Sequence, residues 1–184
     1  MEIRVGIYPG SFDPLTLGHL DIIERSLHVV DNLIIAVSNN DKKEHMLEAD
    51  IRVKLIKETI NLLNNDFKKR ISVEKFDHLL MNYAKSKNSK IIIRGLRAVS
   101  DFEYEFLMTG MNRTIDKDIE TIFLMSSEKY HFISSRFIKE IHRLGGDISK
   151  SVPKPVLDFL KKIWNVHDLL SIRAHSSAGR ASDF

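Results

Sequence analysis

The chain has 184 residues, 43% of them hydrophobic and 29% charged, the make-up of one globular domain that buries roughly 70% of its unfolded surface. Its net charge of +3 comes from lysines scattered among acids without interleaved aromatic residues, which argues against a nucleic-acid platform. With no cysteine, disulfides and thiolate metal sites are excluded, and no apolar run approaches the length of a membrane span.

The chain opens on a strand pattern, not on a basic stretch followed by an apolar segment, so a cytoplasmic location is expected. That strand is expected over Ile3 to Tyr8, broken by Gly10 and Pro14, and the helical period of Leu20, Ile22, Ile23 and Leu27 begins just after His19. A helix starting there directs free backbone N–H groups and the positive end of its dipole above the strand, where an anion binds. His19 sits at that mouth, and a cationic helix end favours its neutral, hydrogen-bonding form. A single histidine is more often a surface or capping residue; the turn containing Gly10 and Ser11 and the adjacent Gly18 favour a functional role here.

Asn32 to Ser38 reads as a buried parallel strand, followed by a polar loop through Lys42 and Lys43 and a helix near Ala49 to Leu63. Ile71 to Phe76 is a third strand, His78 to Lys87 a helix and Lys90 to Arg94 a fourth strand. Ser100 with Glu103 forms a capping box for a helix that places Phe102, Phe106, Leu107 and Met111 at core spacing. Glu120 to Met125 is the fifth strand, Ser134-Ser135 starts a helix ended by Gly145-Gly146, and Pro153 opens a last helix through Trp164.

Five apolar strands alternating with helices predict an α/β fold, a doubly wound five-stranded parallel sheet with ligands beyond the carboxyl ends of the strands. The chemistry-bearing residues fall there: His19 after the first strand, Lys43 after the second, Leu80 after the third, Arg94 and Arg97 at the fourth, Ser134 to Arg136 after the fifth. Two guanidinium groups around Gly95 can grip phosphate oxygens in bidentate fashion, against the plainer reading of two arginines at a sheet edge. Ser134 and Ser135 read as N-capping residues, and a capped helix end also holds anions. Glu105 faces solvent on propensity alone, while a carboxylate near the crevice can accept hydrogen bonds from a ribose. Taken alone, Lys43 is a loop lysine and Leu80 a core leucine. No serine–histidine–acid arrangement and no zinc-type histidine pair is present, which leaves positioning and electrostatics, the means by which phosphoryl transfer is catalysed.

Thr16-Leu17-Gly18-His19, preceded by Gly10-Ser11-Phe12-Asp13-Pro14 on a strand, resembles the T/H-x-G-H signature of the nucleotidyltransferase superfamily and its Rossmann-like fold. Arg94-Gly95-Leu96-Arg97-Ala98-Val99-Ser100-Asp101-Phe102-Glu103-Tyr104-Glu105, Met111-Asn112-Arg113 and Phe132-Ile133-Ser134-Ser135-Arg136 closely resemble the bacterial phosphopantetheine adenylyltransferases, over about Val5 to Trp164. The resemblance implies adenylyl transfer from ATP to 4′-phosphopantetheine, giving dephospho-coenzyme A and pyrophosphate, the penultimate step of coenzyme A synthesis. It implies a phosphopantetheine site of Ser11, Lys43, Leu80 and Arg94. For ATP it implies Ser11, Phe12, His19, Gly95, Leu96, Arg97, Glu105, Tyr130, His131, Phe132, Ile133, Ser134, Ser135 and Arg136, with His19 as transition-state stabiliser aided by Lys43. It further implies magnesium carried by ATP without a dedicated protein cage, and a homohexamer. Arg136 departs from the small or hydroxyl residue more common there. Two other readings stay open: a sister enzyme acting on nicotinamide mononucleotide, and a nucleotide-binding protein without turnover. The domain is expected over 1–170, with 171–184 a disordered tail lacking any apolar period.

Overall fold

A computed structural model describes residues 3–39 and 44–163. Five strands, β1 Val5–Gly10, β2 Asn32–Ser38, β3 Ile71–Phe76, β4 Ile91–Leu96 and β5 Glu120–Met125, form one sheet in the order β3-β2-β1-β4-β5. Every pairing is parallel, with Ile7 against Ile34 and Ile92, and Ile92 against Thr121. The expected five-stranded doubly wound sheet is therefore present, and its order reverses between β1 and β4, where such sheets open a crevice at their carboxyl ends.

The isoleucine-rich strands are buried on both sides because helices cover both faces. Alternation along each strand sends Tyr8, Ile35 and Ile93 to one cluster and Ile7, Ile34 and Ile92 to the other. The first cluster takes Ile22 and Ile23 from α1 (Leu17–Ser26), Leu27 from its C-terminal cap, Leu55, Ile56 and Ile60 from α2 (Ala49–Ile60), and Ile138 from a later helix. It also takes Val156 and Leu160 from a helical stretch over 154–163. The second is smaller and takes Met81, Tyr83 and Ala84 from α4 (Leu80–Ser86).

Several expectations are corrected. Helix α1 begins at Leu17, not after His19, because the Thr16 hydroxyl caps it and accepts from the His19 amide at 3.3 Å. Helix α5 (Val99–Ile115) starts with Ala98 at its cap and not with a Ser100 capping box. Its apolar residues do not enter the core: Phe106 is 62%, Leu107 67% and Met111 61% exposed. A short helix, α3 (Asn65–Lys69), was not expected; Asn64 caps it by accepting from the Phe67 amide at 2.9 Å. Helix α6 (Ser135–Arg143) has Ser134 as its cap, as expected, and closes in a left-handed Gly145 (φ 74°). There the Gly145 amide donates to His142 O and the Gly146 amide to Ile141 O, the paired bonds that end a helix on glycine. The tail 171–184 lies outside the described residues.

Candidate active site

The crevice at the β1/β4 switch point is a cavity of about 770 Å³, walled by the β1–α1 turn, the end of β4, the first turns of α5 and the start of α6. The β1–α1 turn is tightly built. Phe12 takes a left-handed backbone (φ 48°) and buries its ring edge-on against Tyr8 and His19, at centroid distances of 5.4 and 5.1 Å. That ring leaves Gly10 no room for a side chain, since a Cβ there would sit 2.9 Å from Phe12 Cζ.

His19 occupies the third helical position of α1 and completes a reciprocal cap, its Nδ1 accepting from the Thr16 amide at 3.1 Å. An amide can only donate, so Nδ1 is the bare nitrogen and the neutral ring carries its proton on Nε2. Burial, joined by the positive charges of Arg97 and Arg94, pushes the imidazole down to about 4. The neutral form expected from the sequence is thus retained, with desolvation as its leading cause. The helix end itself is less free than a bare terminus: the Leu17 amide donates to Ser151 O at 2.9 Å and that of His19 to Thr16. Gly18 also lines the cavity, and a Cβ there would meet nothing closer than 3.6 Å. Packing within the fold therefore does not demand a glycine here.

Both arginines face the crevice already paired. Arg94 donates through Nε to Glu105 Oε2 at 2.8 Å, closes a second arm on Glu105 Oε1, and reaches Pro9 O at 2.9 Å. Arg97 grips Asp101 through Nε and a terminal nitrogen at 3.0 and 3.1 Å, while its backbone amide donates to the same carboxylate at 3.1 Å. Its other terminal nitrogen donates to Ile133 O at 3.3 Å. Asp101 and Glu105 lie one turn apart on α5, so a single helix face supplies a counter-charge to each guanidinium. Glu105 therefore points into the site and not to solvent.

Of the residues named from the sequence, Ser11, Phe12, His19, Arg94, Gly95, Arg97 and Glu105 meet in this cavity, with His131, Phe132, Ile133, Ser134, Ser135 and Arg136 opposite them. His131 is anchored by its Nε2 donating to Ser126 O at 2.9 Å, and Ser135 by its hydroxyl donating to Pro14 O at 2.8 Å. Three residues stand apart. Leu80, at the start of α4, packs partly buried against the second core cluster; Leu96 is buried in β4, paired with Met125; Tyr130, in the 3-10 turn Glu128–Tyr130, carries Lys129 over its ring. Lys43 lies outside the described residues. Sequence reasoning missed Tyr8, whose buried hydroxyl is pushed above its ordinary range, and Asp101. Asp101 had a signal in the sequence, its position four residues after Arg97 at the start of a helix.

Residues 7–141 match the family described as cytidylyltransferase-like. The phosphopantetheine adenylyltransferase of Geotalea daltonii is 46% identical over 165 residues, 90% of this chain and 99% of that protein. The enzymes of the same name from Acidiphilium cryptum and Caulobacter vibrioides are 49% and 50% identical, each over 84% of this chain and over 91% and 93% of their own length. Among solved structures, Plasmodium falciparum nicotinic acid mononucleotide adenylyltransferase complexed with NaAD superimposes with a TM-score of 0.66 at 19% identity, covering 91% of this chain and 98% of that one, a likeness of fold. By sequence and by fold, the chain belongs to the phosphopantetheine adenylyltransferase family of cytidylyltransferase-like nucleotidyltransferases.

Proposed function

We propose that this chain transfers the adenylyl group of ATP to 4′-phosphopantetheine, giving dephospho-coenzyme A and pyrophosphate. The observation that carries the reading is the convergence of a neutral, Nε2-protonated His19 with Arg94 and Arg97 in one crevice at the sheet's switch point. A phosphate oxygen of the acceptor attacks the α-phosphorus in line, the bond to the β-phosphate oxygen breaks, and pyrophosphate leaves without a covalent enzyme intermediate. His19 donates from Nε2 to an α-phosphate oxygen, where charge gathers in the transition state. Being neutral beforehand, it gives up no proton and its ring needs no reorientation. Arg94 orients the attacking phosphate, exchanging part of its grip on Glu105 for it, and Arg97 with the Ser134-Ser135 helix end holds the β- and γ-phosphates.

The roles of Lys43, as a second charge on the α-phosphate, and of Leu80 and Ser11, on the acceptor, rest on the family resemblance, as do those of Leu96 and Tyr130 beside the nucleotide. A magnesium ion carried by the triphosphate, without a dedicated protein cage, is part of the same family-based reading. That ion, when bound, spreads the charge of the phosphate oxygens. No helix among the described residues is long and apolar enough to cross a membrane; the reading places the enzyme in the cytoplasm. Homohexameric assembly is part of the same reading, and the exposed apolar face of α5, with Val99 at 78%, Phe106 at 62% and Leu107 at 67%, supports burial against another copy.

The test is pyrophosphate release from magnesium-ATP with 4′-phosphopantetheine, run beside nicotinamide mononucleotide and a His19→Ala variant. Release with phosphopantetheine alone, lost in the variant, is the expected result. Release with the mononucleotide instead assigns a sister activity, and release with neither overturns the enzymatic reading.

A further inference from the structure

Outside the crevice lies a second charged cluster that the mechanism above does not use. Asp13, only 2% exposed, follows Phe12 in the β1–α1 turn and receives the amides of Met46 and Leu47 at 2.8 and 2.9 Å. Its Oδ2 also accepts from Lys139 Nζ at 3.1 Å, with His45 Nδ1 3.7 Å away. Arg52, 1% exposed, completes the cluster from α2, donating to Ser11 O at 2.6 Å, Ser38 O at 2.9 Å and Leu47 O at 2.9 Å. Burying two opposite charges so deeply costs more in desolvation than a surface pair returns, so stability alone is a poor account of them.

Their placement supplies a better one. Lys139 lies one helical turn after Ser135 on α6, and Ser135 donates to Pro14 O while Lys139 holds Asp13. Two consecutive turn residues, Asp13 and Pro14, are thereby pinned to two consecutive turns of the helix whose capped start lines the crevice. On the other side of the turn, the Arg52 guanidinium fixes the backbone of Ser11. The two anion-facing walls, Ser11 to His19 and Ser134 to Arg136, have their separation set by this pin.

We infer that Asp13 and Lys139 are positioning residues that fix the width of the triphosphate end of the site; the inference rests on the adenylyltransferase reading above. A small misplacement of phosphate-binding groups is costly to binding and rate, so loss of the pin falls on the nucleotide more than on the acceptor. Lys139→Met is expected to raise KM for ATP roughly tenfold while KM for 4′-phosphopantetheine stays within about twofold, and Lys139→Arg to restore most of the loss. Asp13→Asn is expected to give the same ATP-side defect, and the double variant to be no worse than the more impaired single one, as for two halves of one contact.

Equilibrium binding of ATP to the same variants gives a second readout that needs no turnover. If the wild-type protein binds ATP but releases no pyrophosphate with phosphopantetheine, the reaction assignment fails while the ratio of ATP dissociation constants still decides the pin. The inference is overturned if ATP binding by Lys139→Met is within twofold of wild type. It is equally overturned if both substrates weaken alike and Lys139→Arg restores nothing, since that pattern marks a merely structural contact.

Discussion

His19 ties stability to acidity in a way that can be measured without substrate. The ordinary imidazole value of 6.5 is carried down to about 4 in the folded protein by burial and by Arg97 and Arg94. Because the folded value is the lower one, folding is favoured most above pH 6.5, where the ring is neutral in both states, and stability is lost as pH falls from 6.5 towards 4. Each tenfold in proton affinity is ~1.4 kcal/mol, so the full loss is about 3 kcal/mol, of which about 2 kcal/mol has accrued at pH 5. Urea unfolding of the wild type and of His19→Gln, at pH 8 and pH 5, isolates this share, since every other titrating group is common to both. The wild type is expected to lose about 2 kcal/mol more than the variant between the two pH values. Equal losses, or an imidazole titrating near 6.5 by NMR in the folded protein, would refute both the buried neutral ring and the Nε2–H donor role built on it.

Arg97→Ala removes the group assigned to the β- and γ-phosphates and is expected to raise KM for ATP by one to two orders of magnitude, with a smaller change for the acceptor, in steady-state kinetics. Gly6→Ala places a Cβ 2.8 Å from Val30 Cγ1 and 3.2 Å from Ile93 Cδ1 in the middle of the sheet. The overpacking should cost about 1–3 kcal/mol in chemical unfolding; a change below a few tenths would mean that Val30 yields freely. Leu107→Glu, on the exposed face of α5, should shift the sedimentation coefficient to that of a smaller species while leaving the circular dichroism spectrum intact. An unchanged sedimentation profile would remove α5 from the interface.

What the sequence discloses and what it hides divide along physical lines. Strand β2 follows its apolar run Leu33 to Val37, because a strand buried on both faces must be apolar throughout, whereas the edge strand β3 alternates, with Ser72, Glu74 and Lys75 among its apolar residues. The start of α1 was misplaced because its cap pairs Thr16 with a histidine, and the usual pattern calls for Glu or Gln at that third position. Phe102, Phe106, Leu107 and Met111 have the spacing of a core face and are exposed in this chain, since the helical period fixes which residues share a face and not what that face meets. His19, Arg94 and Arg97 are legible because they cluster at strand ends in the order of the fold. The neutralisation of the two arginines by Asp101 and Glu105 is not, because it depends on how α5 lies across β4. The Asp13–Lys139 contact joins residues 126 apart in the chain and has no local signature at all.

The carboxylates on α5 make the crevice an ion exchanger loaded with its own counter-ions. Each guanidinium is gripped on two of its nitrogens by a carboxylate fixed to a neighbouring helix, so an incoming anion competes with a partner held permanently at high local concentration. Chloride, with one charge and no fork, competes poorly on such terms. A phosphate carries two or more charges and presents several oxygens to the same donors. Such pairing favours a multiply charged anion with several oxygens over a small monovalent one.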